Sequence, residues 1–271
     1  MTAITIKNVK KDNIGDLCKI CVPSNEWENP DYIKGVNEKV AWSNDMLKRW
    51  GSFAKIAYCN RVPAGFIQYE PIPDEMVVSI HCTFVPDRKH WNKGVASKLL
   101  MSLISDMRKP NVWFGNERPL ALITHTFPGG APGQLKARDF FIMRGFKRVG
   151  RNPDYLYLPF MEGFIYKPKR RGAIRYIPQD EDKGRALIIC GPNRCPVTYS
   201  YFLKRMERYI REVDENIPIV WFDTIENSDE VRRRNLYVGN CVVNAKKIKE
   251  FVLNKDAFQS KVREAVGKKY R

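Results

Sequence analysis

The sequence predicts a mixed α/β protein with two domains, a larger one at residues 1–165 and a smaller one at residues 186–271. Segments with strand-like alternation of apolar and polar residues follow segments with helical apolar spacing along the whole chain. This patterning stops in a basic, polar stretch at residues 166–185, which is predicted to be a linker. At about 100–200 residues per domain, the length of 271 residues suits one large domain or two modest ones.

The first domain is predicted to combine a sheet with flanking helices. Apolar residues recur at helical spacing in Tyr32–Trp50 and Gly94–Met107, whereas Val77–Val85 is a β-branched run typical of a buried strand. In chain order the predicted elements are a strand at Ile4–Val9, helices at Ile14–Cys21 and Tyr32–Trp50, a hairpin of Ala54–Tyr58 and Ala64–Tyr69, a strand at Val77–Val85, a helix at Gly94–Met107, a strand at Leu120–Thr124, a helix at Leu135–Arg144, and strands at Phe146–Val149 and Asp154–Phe160.

The second domain begins where apolar patterning resumes, at Ala186. A strand ends near Cys190, and a Cys-Pro pair then starts a helix that continues to about Val213. The remaining predicted elements are a strand at Ile217–Phe222, a short helix at Ser228–Arg234, a hairpin of Tyr237–Val243 and Lys246–Ile248, and a helix at Asp256–Val266. The predicted order is therefore βαβαββα.

Composition indicates which kinds of partner and which cellular compartment to expect for the chain. The chain has 47 Lys and Arg against 30 Asp and Glu, a net charge of +17, which favours an anionic cofactor, an acidic protein or a nucleic acid as partner. No helix-turn-helix or basic strand with interleaved aromatic residues supports nucleic acid. The chain contains no bilayer-length apolar run and no apolar signal core, so we expect a cytoplasmic protein. Seven cysteines are too few for a disulfide scaffold of this length and fit reduced thiols.

The segment Thr83–Leu100 joins the predicted buried strand to an amphipathic helix through a basic loop. Backbone amides in the first turn of a helix have no intrahelical partner, and the helix dipole adds positive charge there. Gly94 allows close approach of the backbone to a ligand, so a pyrophosphate could bind on the amides of residues 93–97, assisted by Lys93, Lys98 and Arg88. A strand–helix turn without a ligand explains the same short motif equally well.

This segment resembles motif A of the GNAT superfamily of acyl-CoA N-acyltransferases, in which Arg/Gln-x-x-Gly-x-Gly/Ala follows the fourth strand. Gly94 and Ala96 fit the pattern, and Trp91 occupies the Arg/Gln position. Residues 137–146, with an aromatic pair and a closing Gly-Phe, resemble a later helix of the family, although Phe141 replaces the tyrosine that often acts as the acid. The resemblance covers about residues 1–165.

The resemblance implies a GNAT fold, with a splayed central sheet, and an acetyl-CoA-dependent N-acetyltransferase acting on an unidentified primary amine of a small molecule or a protein. In that family the pantetheine arm of the co-substrate lies between the fourth and fifth strands, and the pyrophosphate lies on the loop. The residues that would bind acetyl-CoA are then Phe84, Val85, Trp91, Asn92, Lys93, Gly94, Val95, Ala96, Ser97 and Gln134.

Four residues are candidates for the proton transfers that such a reaction needs. Glu70 ends a hairpin strand, His81 lies on the central strand, His125 follows the next strand, and Tyr155 lies on the last strand. Each also has a structural interpretation, as a solvated strand-end charge, a satisfied core histidine or ordinary strand packing. No metal site is predicted, because the Cys18-x-x-Cys21 pair has no second pair of matching spacing.

Residues 186–271 resemble the YoaP-like, thioredoxin-like domain that is found fused to GNAT domains. Cys195 at a helix start beside Arg194 is a candidate redox thiol, with Cys190 five residues before it, but the CxxC motif is absent. The domain is thus predicted to be a scaffold or acceptor-selecting module. Two alternatives stay open for the chain: a thiol-redox or CoA-binding protein centred on Cys195 with a non-catalytic GNAT half, and a basic nucleic-acid-associated protein.

Overall fold

The computed structural model describes residues 3–127, 133–169 and 175–267. The chain forms two compact units, one drawn from residues 1–20 and 44–171 and the other from residues 21–43 and 172–271. Each unit is built on its own sheet. Among the described residues, no helix combines the length and the apolar character that crossing a membrane requires. No disulfide joins any of the seven cysteines, all of which lie in the described ranges.

The first unit contains a mixed sheet with strand order β1-β2-β3-β4-β5-β7-β6 in the described residues. Strands β4 and β5 run parallel, and the other neighbouring pairs are antiparallel. The strands are β1 (Ile4–Asn8), β2 (Ala54–Cys59), β3 (Val62–Ile72), β4 (Val77–Phe84), β5 (Ala121–His125), β6 (Lys147–Arg148) and β7 (Tyr155–Pro159). The helices of the first half of the chain are α1 (Ile14–Lys19), α2 (Pro30–Trp50, of which residues 44–50 belong to this unit), α3 (Val95–Met107) and α4 (Ala137–Ile142).

The two faces of this sheet bury different sets of apolar residues, because successive strand residues point to opposite sides. On one face Val78, Ile80 and Leu122 form a core with the apolar stripe of α3, including Leu99 and Leu103. On the other face a second cluster forms around Val77, Ala121, Ile123, Tyr157 and Tyr166. The helical and strand predictions for this half are confirmed, with β3 running on to Ile72 and α4 shorter than expected.

The second unit has the predicted order of strands and helices. Its elements are β8 (Ala186–Cys190), a π-helical segment at Thr198–Leu203 that continues as α5 (Lys204–Val213), β9 (Ile219–Asp223), α6 (Ser228–Arg233), β10 (Cys241–Val243), β11 (Lys246–Ile248) and α7 (Lys255–Val266). The sheet has the order β11-β10-β8-β9, with β8 parallel to β9. Strand β10 is shorter than the predicted Tyr237–Val243, because a turn closed by the Asn240 N–H on the Tyr237 carbonyl precedes it.

Residues 21–43 group with the C-terminal part of the chain, which differs from the contiguous boundaries drawn from the sequence. The reason lies in a close backbone packing within this unit. A Cβ on Gly35 of α2 would lie only 1.8 Å from the carbonyl oxygen of Pro196, so only glycine permits the approach. The Asn193 N–H also donates to the Glu38 carbonyl at 3.4 Å, and Lys34 lies over the Tyr199 ring.

The segment predicted as a linker is folded at both ends. Tyr166 is buried in the second core cluster of the first unit. In the second unit, a 3-10 turn at Asp180–Asp182 places the Asp182 side chain fully out of solvent. A polar residue of this stretch, Asp182, therefore belongs to a buried polar network.

Asp182 and Arg234 are the centre of that network, and both side chains have no exposed surface. Arg234 donates to Asp182 Oδ1 from Nη2 at 2.8 Å and from Nε at 2.9 Å, and the Tyr176 hydroxyl donates to Asp182 Oδ2 at 2.5 Å. Burial acts to raise the pKa of Asp182, but the hydrogen bonds from Arg234, Tyr176 and Arg185 prevail and lower it to about 2. The carboxylate is thus charged and fully paired at neutral pH.

Arg234→Leu should destabilise the second unit strongly, because it leaves the Asp182 charge buried without its main partner. Loss of one partner of a buried ion pair costs about 3–5 kcal/mol in the free energy of unfolding. Urea denaturation followed by circular dichroism measures this change. The matched control is Arg232→Ala, whose ion pair with Asp229 is exposed and 3.7 Å long; it should leave the unfolding curve in place. Equal effects of the two substitutions would contradict the assignment.

Candidate functional site

Strands β4 and β5 pair over four residues and then part. Their parallel register runs from Val77–Ala121 to Ile80–Thr124, whereas β4 continues to Phe84. Beyond that point β4 stays paired to β3, up to the Phe66–Phe84 pair. The edge of residues 81–84 that faces away from β3 therefore has no strand partner among the described residues.

A β-bulge in β4 and the separate outer neighbours of the two strands explain why the strands part. The register of β3 and β4 shifts between Gln68 and Tyr69, so that His81 is the extra residue on β4. Past the end of β5, the Thr126 N–H donates to the Asp154 carbonyl at 2.7 Å, next to the start of β7. One strand thus follows β3 and the other follows β7, and a gap opens between them.

Helix α3 starts just beyond the open end of β4. Gly94 is its N-cap with φ of +80°, a left-handed conformation that favours glycine. Among the described residues, no side chain caps this end of the helix with a hydrogen bond. The structure thus places the predicted loop residues Asn92, Lys93 and Gly94 on the surface, and Val95 in the core.

Trp91 holds this loop in place. Its indole N–H donates to the Val85 carbonyl at 2.8 Å, and its ring packs against the core beneath α3. The Arg88 guanidinium lies 5.5 Å from the ring centre. Trp91, at the position where the family that this loop resembles has Arg or Gln, therefore anchors the loop. Its bond uses the backbone carbonyl of Val85, one of the residues predicted to bind acetyl-CoA.

Arg144 is a charged residue near the start of α3 that the sequence analysis missed. Its Nη2 donates to the Ser97 hydroxyl at 2.5 Å, and its Nη1 donates to the Phe140 carbonyl at 2.9 Å. Burial lowers the pKa of this guanidinium, which still stays protonated at neutral pH. Ser97 and Arg144 are 47 positions apart, so no local pattern predicts their contact. The only signal in the sequence is that Arg144 directly precedes the Gly-Phe that closes the later helix.

Two of the four candidate catalytic residues form a pair. His81 Nε2 and Glu70 Oε2 are 3.2 Å apart, and both side chains are partly exposed. The hydrogen bond with His81, together with the charges of His81 and Arg49, holds the pKa of Glu70 below its ordinary value despite partial burial. Glu70 is therefore a carboxylate at neutral pH, suited to orient the imidazole and to stabilise its protonated form.

The other two candidates form a second pair. The rings of His125 and Tyr155 stack with centres 5.4 Å apart, and His125 Nε2 lies 3.3 Å from the Asn152 amide nitrogen. The Tyr155 hydroxyl is 3.1 Å from that of Tyr166, which donates to Glu75. Burial and the bond to Glu75 raise the pKa of Tyr166.

All four candidates lie on one face of the sheet. His81 alternates with Val77 on β4, His125 with Ile123 on β5, and Tyr155 with Tyr157 on β7, which places them on the face opposite α3. Glu70 is on the same face because it contacts His81. The four candidates thus share one face of the sheet, as two separate pairs.

Other predicted positions have different surroundings. Gln134 is half-buried shortly before α4, and Phe141 is buried among Phe140 and Phe146, where it has no polar role. A cavity of about 580 Å³ lies at the opposite end of β5, against Leu120. It is therefore not at the gap.

In the second unit, the two cysteines singled out from the sequence differ in exposure. Cys195 is half-buried, and its backbone N–H donates to the Asn193 side chain at 3.0 Å. Cys190 is buried, and this burial raises the pKa of its thiol to about 11. A thiol in that state is the opposite of an activated thiolate, which argues against Cys190 as a redox partner.

Comparison with known families supports an acetyltransferase. Residues 23–122 match the model of the Acetyltransferase (GNAT) family. The match starts before α2 and ends in β5, and it includes β4 and the loop before α3. No curated protein is similar enough to the chain to count as a match.

Several solved acetyltransferases are similar to part of the chain. A PaiA N-acetyltransferase from Thermoplasma acidophilum, solved with coenzyme A, is 16% identical over 57% of this chain and 97% of its own, with a TM-score of 0.41. A GNAT family acetyltransferase from Brucella melitensis, solved with acetyl-CoA, is 12% identical over 64% of this chain and 98% of its own, with a TM-score of 0.41.

Gly65→Ala should destabilise the first unit, because β3 packs tightly against the start of α3 at this residue. A Cβ at Gly65 would lie 2.8 Å from the Phe84 carbonyl oxygen and 2.9 Å from a Val85 methyl group. Overpacking of this kind costs about 1–3 kcal/mol, measured by urea denaturation. The control is Gly15→Ala in α1, where nothing lies within 4 Å, and it should be neutral or stabilising. A neutral Gly65→Ala would show that the loop can shift freely.

Proposed function

We propose that the protein is an acetyl-CoA-dependent N-acetyltransferase that transfers an acetyl group to a primary amine of a small molecule or a protein. The observation that carries this proposal is the parting of β4 and β5 directly before the uncapped start of α3. A strand edge with no neighbouring strand among the described residues suits the amides of a pantetheine arm, and a helix start without a side-chain cap suits a diphosphate. The match to the GNAT family supports the same assignment.

The diphosphate of CoA would bind on the first-turn amides of α3, around Val95, Ala96 and Ser97. Lys93 and Lys98 are exposed next to these amides, and Arg144 adds a third positive charge through its contact with Ser97. Trp91 and Gly94 contribute by fixing the loop backbone, and Asn92 shares the left-handed turn with φ of +57°. The pantetheine arm would extend along residues 81–84 of β4.

His81 is the group that would accept the proton of the attacking amine. The amine nitrogen bonds to the thioester carbon, the carbon–sulfur bond breaks, and the CoA thiolate leaves and takes up a proton. Glu70 would orient the His81 ring and stabilise its protonated form, as a carboxylate does for a catalytic imidazole. His125 and Tyr155, on the same face across the gap, are the candidate donors to the thiolate.

The second unit would be a thioredoxin-like scaffold or acceptor-selecting module. Its order of strands and helices is that of the domain it resembles in sequence. The burial of Cys190 favours this role over thiol-redox chemistry.

Ala96→Asp should weaken CoA binding without unfolding the protein. The new carboxylate lies in the first turn of α3, where it is favourable to the helix but competes with the diphosphate for the same amides. Isothermal titration with CoA should show at least about tenfold weaker binding, which corresponds to 1.4 kcal/mol. Met101→Glu, an exposed position on the same helix, makes the same charge change and should bind CoA nearly as wild type does. Equal affinities of both variants would contradict the assigned site.

Glu70→Gln should reduce acetyl transfer while CoA binding is kept. The amide can still contact His81 but cannot stabilise a protonated imidazole, so kcat should fall on the order of 10²-fold or more. Release of the CoA thiol, measured with an amine found by screening a panel, gives kcat and the KM for acetyl-CoA. Asp45→Asn, an exposed partner of the Arg49 that also contacts Glu70, is the control and should leave kcat unchanged. An unaltered kcat in Glu70→Gln would exclude this pair from the chemistry.

A further inference from the structure

A cluster of three potential ligands lies in the second unit, on elements that the proposed transfer reaction does not use. One ligand atom from each of Glu38, Cys190 and Asp223 lies within 4.8 Å of the other two. Glu38 comes from α2, Cys190 ends β8, and Asp223 ends the neighbouring parallel strand β9. Cys190 and Asp223 are partners in the strand register, and the Sγ–Oδ2 distance is 3.8 Å.

Glu38 is a buried carboxylate with little polar contact. The residue is 7% exposed, and among the described residues neither carboxylate oxygen has a hydrogen-bond partner of acceptable geometry, the Gly191 amide being the nearby donor. Burial raises the pKa of Glu38 to about 7, although Lys34 and the nearby Gly191 amide act in the opposite direction. An orphan carboxylate in the interior is costly. It therefore indicates a missing partner.

The backbone is shaped to bring these groups together. Gly35 lets α2 approach Pro196, and Glu38 follows three positions later, on the same side of the helix. Gly191, directly after Cys190, has φ of +134°, and a Cβ there would lie 2.2 Å from the Thr224 hydroxyl. Two glycines are thus needed at the two places where the ligand-bearing segments approach each other.

Lys34 does not fill the place of the missing partner. It lies four positions before Glu38, and its charge acts on both Glu38 and Cys190. Its nitrogen is placed over the Tyr199 ring, 4.7 Å from the ring centre, and no ion pair joins it to Glu38 in the described ranges. Instead, its positive charge would offset the one excess negative charge that three anionic ligands leave around a divalent cation.

We propose that Glu38, Cys190 and Asp223 bind a divalent zinc-class ion. A thiolate with two carboxylates is a donor set for Zn²⁺ and Co²⁺, whereas Mg²⁺ and Ca²⁺ prefer oxygen alone. Zinc bond lengths of about 2.3 Å to sulfur and 2.0 Å to oxygen in a tetrahedron separate sulfur from oxygen by about 3.5 Å. The 3.8 Å between Cys190 and Asp223 is close to that value. A water molecule would complete four ligands.

The test is titration of the full chain, stripped of metal with a chelator, with Zn²⁺ and with Co²⁺ alone. We expect one equivalent to bind, a cobalt–thiolate charge-transfer band, and a higher unfolding midpoint with Zn²⁺. Cys190→Ser should remove the band, and Glu38→Gln and Asp223→Asn should weaken binding at least about tenfold. Cys241→Ala removes another buried thiol of the same sheet and should keep both the band and the affinity.

The Glu38→Gln variant also tests whether Glu38 acts as a metal ligand or only as a structural residue. Because the buried charge is unpaired, the metal-free variant should unfold at the same midpoint as wild type or above it, but Zn²⁺ should no longer raise that midpoint. The proposal is overturned if the full chain binds no Zn²⁺, if the cobalt band persists in Cys190→Ser, or if Glu38→Gln binds Zn²⁺ as tightly as wild type. None of these readouts depends on acetyl transfer.

Discussion

The first unit depends on which neighbours β4 and β5 keep beyond their four paired residues. β4 remains hydrogen-bonded to β3, whereas the chain after β5 bonds next to the start of β7 through Thr126 and Asp154. Because each strand follows its outer neighbour beyond the Ile80–Thr124 pair, the two diverge there, and the bulge at His81 adds to the divergence. The gap and the open edge of β4 follow from this divergence.

Charge is distributed unevenly around the gap. The start of α3 combines unused amides with Lys93, Lys98 and Arg144, so an anion there is favoured by backbone and side chains together. The opposite face holds the Glu70–His81 pair, in which a carboxylate is held ionised by its neighbours. An anionic group and a proton acceptor thus have separate places on the two sides of one strand, which is what a transfer from an anionic carrier to an amine requires.

The sequence predicts the elements well where periodicity is strong, as in β4 and α3, and it identifies Gly94 as the glycine at the start of α3. It does not predict contacts between distant positions. The grouping of residues 21–43 with the C-terminal part depends on Gly35 approaching Pro196, 161 positions away, and no local pattern encodes that. The residues that contact Ser97 and the predicted linker, Arg144 and Arg234, are likewise far from them in sequence. The Glu70–His81 contact could be suspected only as two candidates, because register and a bulge determine whether they meet.

Two buried carboxylates of the second unit differ in the hydrogen bonds that they accept. Asp182 receives donors from Arg234, Tyr176 and Arg185, so its burial is compensated within the protein. Glu38 is buried nearly as well, and among the described residues it has no hydrogen bond of acceptable geometry. Loose packing does not account for this difference, since the glycines around Glu38 show tight packing. A cation held together with Cys190 and Asp223, as proposed above, would supply the compensation that Glu38 lacks.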